Sequence, residues 1–235
     1  MEFKLKKAHE TSYVDFAFYF GGTAEYAEHL SEWENIDGVC GIKIFMGASN
    51  GDLLSATDEE IDAIVANGKR VIAVHAEDES IMNENKVTIL GDSNDVAMHY
   101  KWRSEESCLN ATKRIVTIAK KYSRKVHILH ITTAQEMAFL KANKDIASAE
   151  VLANHLTLHA PDCYDMFGTL AQQNPPIREK HHQDALWAAV ADGTVDIVAS
   201  DHAPHTLDEK SGTYPNTPSG TPGAVSYTHL RAHET

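Results

Sequence analysis

The chain has 235 residues, of which 43% are hydrophobic, and this is enough for one sizeable core in a single domain. Its formal net charge of -13 arises from 34 acidic residues against 21 Lys and Arg, without a basic run, which argues against nucleic-acid and anionic-membrane partners. Three widely spaced cysteines without a CxxC pair argue against a disulfide framework, and with no long apolar segment we expect a cytoplasmic protein that binds a small molecule.

Six short apolar runs rich in β-forming residues are predicted to be strands. Helical segments separate them, and this alternation is typical of parallel strands joined by right-handed crossovers. Because the runs are almost continuously apolar, both faces of the sheet are expected to be covered. In chain order the predicted strands are VDFAFYF (14–20), CGIKIFM (40–46), RVIAVHA (70–76), KVHILHI (125–131), ASAEVLANHL (147–156) and VDIVAS (195–200).

Three of the intervening segments carry clear helix signals. Residues 57–68 begin with a capping box, in which Thr57 is the cap and Glu60 is the reciprocal residue. Residues 104–122 also begin with a capping serine and carry one apolar face, and residues 132–144 follow the KVHILHI strand in the same way. Each segment is therefore predicted to be a crossover helix.

Both a (β/α)₈ barrel and an open doubly wound sheet satisfy this pattern. No GxGxxG or P-loop follows the first predicted strand, so the nucleotide-binding sheet loses its main support and an α/β barrel is favoured. Residues 204–222 are a Pro-, Gly-, Ser- and Thr-rich loop directly after the last predicted strand. A long loop in this position is predicted to form part of an active-site wall.

Four predicted strands each carry a metal-capable residue at or near the end that faces a barrel mouth. A single strand histidine is more often structural, and a single lysine can extend to solvent. Four such residues are hard to explain separately, because the carboxyl ends of barrel strands meet around one site. Imidazole and carboxylate ligands suit zinc and related divalent ions, which activate water for hydrolysis. The four residues are Lys43, His75, His130 and Asp201.

A series of motifs resembles, in order, those of the dihydroorotases, which are metal-dependent (β/α)₈ barrels of the amidohydrolase superfamily. The resemblance runs from about Tyr13 to Val225, and SDHAPHTLDEK with the downstream PG pair is its most selective part. The motifs are GIKIFMG, VHAED, HILHITTAQE, AEVLANHL, NPPIRE, SDHAPHTLDEK and YPNTPSGTPG.

The resemblance implies a site for two divalent ions, with zinc as the expected metal. Lys43 would be carboxylated and bridge the two ions, His75 and His130 would bind one of them, and Asp201 would bind the other and act as the catalytic proton shuttle. A free ammonium would repel the ions, whereas a lysine carbamate is an anion with two oxygens. The resemblance also assigns substrate contacts to Asn174, His205, Pro222 and Gly223.

Other residues of these motifs have open or structural roles. Glu150 resembles a family acid near the metals but is equally suited to an ion pair inside the barrel. His155 stands where the family often has a second histidine, so its role is open, and His127 is expected to be structural. Asn174 is also suited to begin a turn before two prolines, and Gly223 to be a loop hinge.

The family begins its barrel with an HxH pair, and no such pair precedes Lys43. We therefore expect residues 1–225 to form a partial TIM barrel, with strands three to eight present and strands one and two and the C-terminal segment missing. Residues 226–235 are expected not to belong to the fold, and His229 and His233 are not candidate ligands. Without the HxH pair one metal lacks two imidazole ligands, and the arginine that usually follows the pair is missing too, so we expect the chain alone to bind metal poorly and to have little or no activity. Two open sheet edges predict an isolated chain that is poorly soluble or molten.

The function implied by the resemblance is the metal-dependent interconversion of L-dihydroorotate and N-carbamoyl-L-aspartate in pyrimidine biosynthesis. One open alternative is another cyclic amidase, such as dihydropyrimidinase, hydantoinase or allantoinase, because these enzymes share the metal frame. The other is a non-catalytic scaffold for aspartate transcarbamoylase, although the presence of all four candidate ligands argues against it. The expected partner is a small-molecule substrate, and a homo-oligomer is compatible with the sequence.

Overall fold

The computed structural model describes residues 1–47 and 54–224, and these contain one sheet of six parallel strands. Each strand pairs with the next one along the chain. This order is that of a (β/α)₈ barrel and lacks the reversal of an open doubly wound sheet, so the predicted partial barrel is confirmed. The strands are β1 (Phe18–Gly21), β2 (Val39–Phe45), β3 (Ile72–His75), β4 (Val126–Ile128), β5 (Ala147–Leu152) and β6 (Ile197–Ala199).

Strand β2 shows how the sequence directs side chains to the two faces of the sheet. Ile42 and Ile44 are fully buried in the main apolar core, whereas Lys43 and Phe45 are half-buried and line a cavity. Successive side chains of a strand point to opposite faces, so this alternation separates the core side from the inner side. Phe45 pairs with His75 of β3, which brings Lys43 and His75 to the same end of the sheet.

Helices connect the strands, and the three predicted crossover helices are present. They are α1 (Glu2–Thr11), α2 (Leu30–Trp33), α3 (Asp58–Ala66), α4 (Glu79–Asn85), α5 (His99–Trp102), α6 (Glu105–Tyr122), α7 (Ala134–Lys141), α8 (Ala153–Thr157), α9 (Asp162–Phe167), α10 (Lys180–Ala191) and α11 (Leu207–Lys210). The predicted capping box begins α3: the Glu60 N–H donates to Thr57 Oγ1, and the Glu60 carboxylate accepts from the Thr57 N–H. Capping serine and threonine side chains likewise begin α6 and α7.

One large apolar core lies between the sheet and its covering helices. Ile64 of α3, Ile115 of α6 and Leu140 of α7 are fully buried there together with strand residues such as Ile72 and Ile128. Burying each such side chain contributes about 1.5–3 kcal/mol, so packing more than helix propensity holds the layers together. None of the helices in the described residues combines the length and apolar character needed to cross a bilayer.

The first and last strands are the edges of the sheet within the described residues. Strand β1 pairs with β2 alone, and β6 pairs with β5 alone. Tyr19 of β1 is 43% exposed and Ile197 of β6 is 46% exposed. The unpaired backbone groups of an exposed edge strand can pair with another chain. The poor solubility expected from these edges stays a prediction. Residues 226–235, with His229 and His233, lie outside the described part of the chain.

Candidate functional site

A cavity of about 260 Å³ lies at the carboxyl ends of the strands. It brings together five of the residues singled out from the sequence, namely Lys43, His75, His130, Asn174 and Asp201. Three others lie outside its lining, namely His205, Pro222 and Gly223. The remaining lining residues are Phe45, Gln173, Ala203, Ser219, Gly220 and Thr221.

Two candidate ligands, His75 and His130, meet through their ring nitrogens. Nδ1 of His75 lies 3.1 Å from Nε2 of His130, and both side chains are buried. Nε2 of His75 lies 2.8 Å from the Glu77 carboxylate. An ionised carboxylate only accepts hydrogen bonds, so Nε2 of His75 carries the proton. The lone pair of Nδ1 is therefore directed towards His130.

The Glu77 carboxylate has a second buried partner, Arg103. Nε of Arg103 donates to Oε1 of Glu77 over 3.1 Å, and another guanidinium nitrogen donates to Oε2. Burial alone raises the pKa of Glu77, but Arg103 and His75 outweigh it and hold the pKa well below its usual range. Glu77 therefore stays ionised and fixes the tautomer and orientation of His75.

His130 follows β4 with a left-handed backbone, at a φ of +39°. Its backbone N–H donates to Oε1 of Glu150 over 3.2 Å. The other Glu150 oxygen lies 3.3 Å from Nε2 of His127, whose Nδ1 lies 2.8 Å from the Ser148 hydroxyl. Glu150 thus contacts both the His127 ring and the His130 backbone, and among the described residues His127 makes only these two side-chain contacts. Together they hold the strained turn that places the His130 ring.

Lys43 and Asp201 add two opposite charges to the cavity. Nζ of Lys43 lies 4.5 Å from the centre of the Phe45 ring. Burial lowers the pKa of Lys43 to about 8, while Asp201 and Glu150 act in the opposite direction. Burial also raises the pKa of Asp201, and the Lys43 charge opposes that rise. Asp201 has a φ of +42°, a backbone conformation that costs about 1–3 kcal/mol outside glycine.

The Pro- and Gly-rich loop forms one wall of the cavity, through residues that the sequence did not single out. Ser219, Gly220 and Thr221 are in the lining. Gly220 has a φ of +142°, and a β-carbon there would lie 2.5 Å from the carbonyl oxygen of Ala203. Only glycine permits this approach. The SGTPG string signals a tight turn, but it does not reveal which of its residues face inwards.

The three predicted substrate contacts outside the lining lie close to the end of β6. The Gly223 N–H donates to Nδ1 of His202 over 3.1 Å. A β-carbon at Gly223 would lie 2.3 Å from the carbonyl oxygen of Ser200, so the loop packs directly on the strand end. His205 is half-buried and Pro222 is exposed. Their roles in substrate binding stay predictions.

Gln173 also lines the cavity, and it was not among the site residues predicted from the sequence. Its Oε1 accepts from Nδ2 of Asn154 over 3.1 Å and from Oγ1 of Thr221 over 2.9 Å. Its Nε2 lies 2.6 Å from Nε2 of His155, which is buried behind the wall and outside the cavity lining. His155 therefore supports Gln173 and makes no direct contribution to the lining.

Lys210, the lysine of the TLDEK motif, anchors the wall from behind. It is buried, and Nζ donates to the carbonyl groups of Thr169, Gln172 and Pro218 over 3.2, 3.0 and 2.8 Å. Burial lowers the pKa of Lys210 to about 8. These bonds join the loop to the segment that leads into Asn174.

The donor set of the cavity fits a divalent ion. Two nitrogens bound to one tetrahedral zinc, each at about 2.0–2.1 Å, are roughly 3.3–3.4 Å apart. The 3.1 Å between Nδ1 of His75 and Nε2 of His130 is close to that separation. Nδ1 of His130 is buried without a hydrogen-bond partner in the described residues, so protein contacts alone leave this ring unsatisfied. Lys43 and Asp201 line the same cavity, and their roles as metal ligands stay predictions.

A second group with metal-ligand chemistry lies on α6 and α10, and consists of Glu105, His181 and His182. Nδ1 of His182 accepts from the Ala134 N–H over 3.0 Å, so Nε2 carries the proton. That nitrogen lies 3.0 Å from the Glu105 carboxylate. Without a free lone pair on His182, this group is better suited to joining α6, α7 and α10 than to binding a metal.

Comparisons with known proteins agree with the fold and the motifs. No protein-family model matches the chain. It is 32% identical to a dihydroorotase from Methanosarcina mazei, over 94% of this chain and 50% of that protein. It is 30% identical to an allantoinase from Bacillus velezensis, over 86% of this chain and 46% of that protein. The chain thus spans about half the length of the curated relatives it matches.

Among solved structures, the chain is similar to the D-hydantoinase (dihydropyrimidinase) from Thermus sp. The TM-score is 0.86 at 21% sequence identity, covering 99% of this chain and 54% of that one. A likeness at this identity shows the fold alone, and the shared part is the partial barrel described above. By sequence and fold together, this chain is a relative of the dihydroorotases.

Proposed function

We propose that this chain forms the metal-binding part of a dihydroorotase, which hydrolyses L-dihydroorotate to N-carbamoyl-L-aspartate and catalyses the reverse ring closure. The observation that carries the proposal is the convergence of His75 and His130, 3.1 Å apart, in a cavity that also contains Lys43 and Asp201. The 32% identity to a dihydroorotase supports the choice of substrate.

In the complete protein, the cavity residues would contribute ligands to a site for two zinc ions. His75 and His130 would bind one ion through Nδ1 and Nε2, Asp201 would bind the other, and a carboxylated Lys43 would bridge the two. Bound zinc supplies a Lewis acid for the ring carbonyl and an activated water near neutral pH. Carboxylation of Lys43 replaces a charge that repels the ions with one that attracts them.

Asp201 would transfer the proton that ring opening requires. Hydrolysis adds hydroxyl to the carbonyl carbon and hydrogen to the ring nitrogen as the carbon–nitrogen bond breaks. The Asp201 carboxylate accepts the proton released from water and delivers it to that nitrogen, which serves as the leaving group. In ring closure the same carboxyl group works in the opposite order.

The remaining candidate residues would contact the substrate. Asn174 is in the cavity lining. His205 lies against the lining residue Gly220, and Pro222 and Gly223 directly follow the lining residue Thr221. The substrate is a small anion, and the acidic net charge of the chain does not oppose its binding, because the charge of the ions dominates inside such a site. A cytoplasmic setting accords with this proposal.

The proposal is tested by measuring the rate of ring opening of L-dihydroorotate, allantoin and dihydrouracil in the presence of zinc. The rates are measured for this chain and for a chimera in which the chain replaces the matching half of the Methanosarcina mazei dihydroorotase. We expect the chimera to open L-dihydroorotate, and Asp201→Asn to reduce that rate by roughly 10²–10⁴-fold. A preference for allantoin would favour the allantoinase alternative. A folded, zinc-loaded chimera without activity would contradict a catalytic role.

A further inference from the structure

His99 is a buried histidine at the start of α5 that contacts residues far away in the sequence. Its Nε2 lies 3.0 Å from the carbonyl oxygen of Gln173 and 3.0 Å from Oδ1 of Asn174. Its Nδ1 lies 3.3 Å from the hydroxyl of Tyr214. The residue is 2% exposed, so solvent offers the ring few other partners.

These contacts determine which nitrogen of His99 carries the proton. The Gln173 carbonyl only accepts, so Nε2 must donate to it, and Nδ1 must accept from the Tyr214 hydroxyl. Trp102 supports this direction, because its indole N–H donates to the Tyr214 oxygen and leaves the hydroxyl proton for His99. Burial and the Arg103 charge lower the pKa of His99 to about 3, which keeps the ring neutral.

The same proton sets the orientation of the Asn174 amide. An asparagine side chain has one accepting end and one donating end, and the Nε2–H of His99 requires the oxygen beside it. Nδ2 of Asn174 then lies on the other side of the amide, and no group in the described residues accepts a hydrogen bond from it. Since Asn174 lines the cavity, these N–H donors are available to a bound molecule.

We infer that His99 is a positioning residue that presents the NH₂ group of Asn174 to an oxygen of the substrate. The inference rests on the proposed function and defines the chemistry of this subsite, which takes a carbonyl or carboxylate oxygen and disfavours a ring N–H. Tyr214, which accepts from Trp102 and donates to His99, belongs to the loop of residues 204–222 that forms the cavity wall. A ligand of the wrong polarity leaves the donor unpaired, which makes such a site selective.

Nitrogen-15 NMR of the histidine rings tests the tautomer directly and requires no ligand. The sample carries Ile197→Lys, which places a charge on the exposed edge of β6 and opposes association. The His99 signals are assigned by their loss in His99→Gln. We expect a single Nε2–H tautomer between about pH 5 and pH 8, the range in which an ordinary histidine titrates. An Nδ1–H tautomer, or a ring that becomes charged in this range, would overturn the inference.

Binding of L-dihydroorotate to the zinc-loaded chain tests the consequence for Asn174. Asn174→Asp keeps an oxygen beside His99 but replaces the donor by an acceptor, so we expect the dissociation constant to rise about tenfold or more. His99→Leu should have a similar effect. His99→Gln should restore most of the affinity, because its amide can donate to the same oxygen.

Zinc affinity and circular dichroism are the controls for folding of these variants. Unchanged L-dihydroorotate affinity in both Asn174→Asp and His99→Leu would contradict the inference. If the unsubstituted chain with zinc fails to bind L-dihydroorotate, that result counts against the proposed function, while the tautomer measurement still decides the role of His99.

Discussion

Nδ1 of His75 and Nε2 of His130 lie 3.1 Å apart although 55 positions separate the two residues in the chain. They meet because β3 and β4 are neighbours in the sheet and because the left-handed backbone of His130 turns its ring inwards. Glu77 holds the proton on the other nitrogen of His75. Two imidazole nitrogens at this spacing can share one ion, and the proposed chemistry depends on that arrangement.

Substitution of Glu77 should weaken metal binding although Glu77 is not itself a proposed metal ligand. Glu77→Gln removes the charge that fixes the His75 proton, so we expect zinc affinity to fall about 10- to 100-fold. It also removes the negative charge from the buried ion pair with Arg103, which should lower the free energy of unfolding by about 3–5 kcal/mol. Calorimetric zinc titration and urea unfolding measure the two effects.

Glu34→Gln is the matched control for Glu77→Gln. Glu34 is equally buried and pairs with Arg124 over 2.9 Å. It also accepts from the backbone N–H groups of Lys69 and Arg70, just before β3 and away from the cavity. We expect a similar loss of unfolding free energy, about 3–5 kcal/mol, with unchanged zinc affinity. Equal zinc affinity in both variants would show that Glu77 does not act through His75.

The pH dependence of stability should contain a contribution from His99. Its pKa is about 3 in the folded chain, below the ordinary value of 6.5, because burial disfavours the charged ring. The unfolded state therefore binds more protons between these values, and stability falls as the pH falls from about 6.5 towards 3, by about 1.4 kcal/mol per pH unit. Urea unfolding of the chain and of His99→Gln at several pH values measures this slope. Identical slopes in the two chains would contradict it.

Removal of the Lys210 ammonium should loosen the cavity wall. Lys210→Met removes the ammonium that donates to the carbonyl groups of Thr169, Gln172 and Pro218, so we expect the free energy of unfolding to fall by about 1–3 kcal/mol. Limited proteolysis should also become faster within residues 211–221. Lys4→Met, at an exposed position on α1, is the control and should change stability by about 0.5 kcal/mol or less. Equal cleavage rates in the two variants would rule out an anchoring role.

The exposed edge of β6 should drive association between chains. Ile197 is 46% exposed on this edge strand, and Ile197→Lys should reduce concentration-dependent association measured by sedimentation velocity. Leu207→Lys changes a residue that is 74% exposed on α11, off the sheet, and should have little effect. A monomeric unsubstituted chain with a sharp two-state thermal transition would contradict this prediction and the expectation of a molten state.

The strands and the strand-end residues were predictable because their signals are local. The apolar run of β2 directs Ile42 and Ile44 to the core by alternation, and the same alternation sends Lys43 to the cavity. His75 and Asp201 could be placed in the same way, because residues at the carboxyl ends of parallel strands meet at one end of a barrel. The capping box at Thr57 was equally predictable, because it involves only residues that are close together in the sequence.

The supporting contacts were not predictable, because they join distant parts of the chain. His99 and Tyr214 are 115 positions apart, and nothing in either local sequence indicates that they touch. Glu77 is visible in the VHAED motif, but its pairing with Arg103 depends on how the segment after β3 packs against the start of α6. The inward-facing part of the loop at Gly220 depends on a backbone angle that composition alone does not give.

The position of bound zinc tests the proposed site most directly. Crystals of the chain grown with zinc are measured at the zinc absorption edge, and an anomalous difference map locates the ion. We expect a peak about 2.0–2.1 Å from both Nδ1 of His75 and Nε2 of His130. A cavity without a peak, with zinc found only at the group formed by Glu105, His181 and His182, would contradict the proposed metal centre.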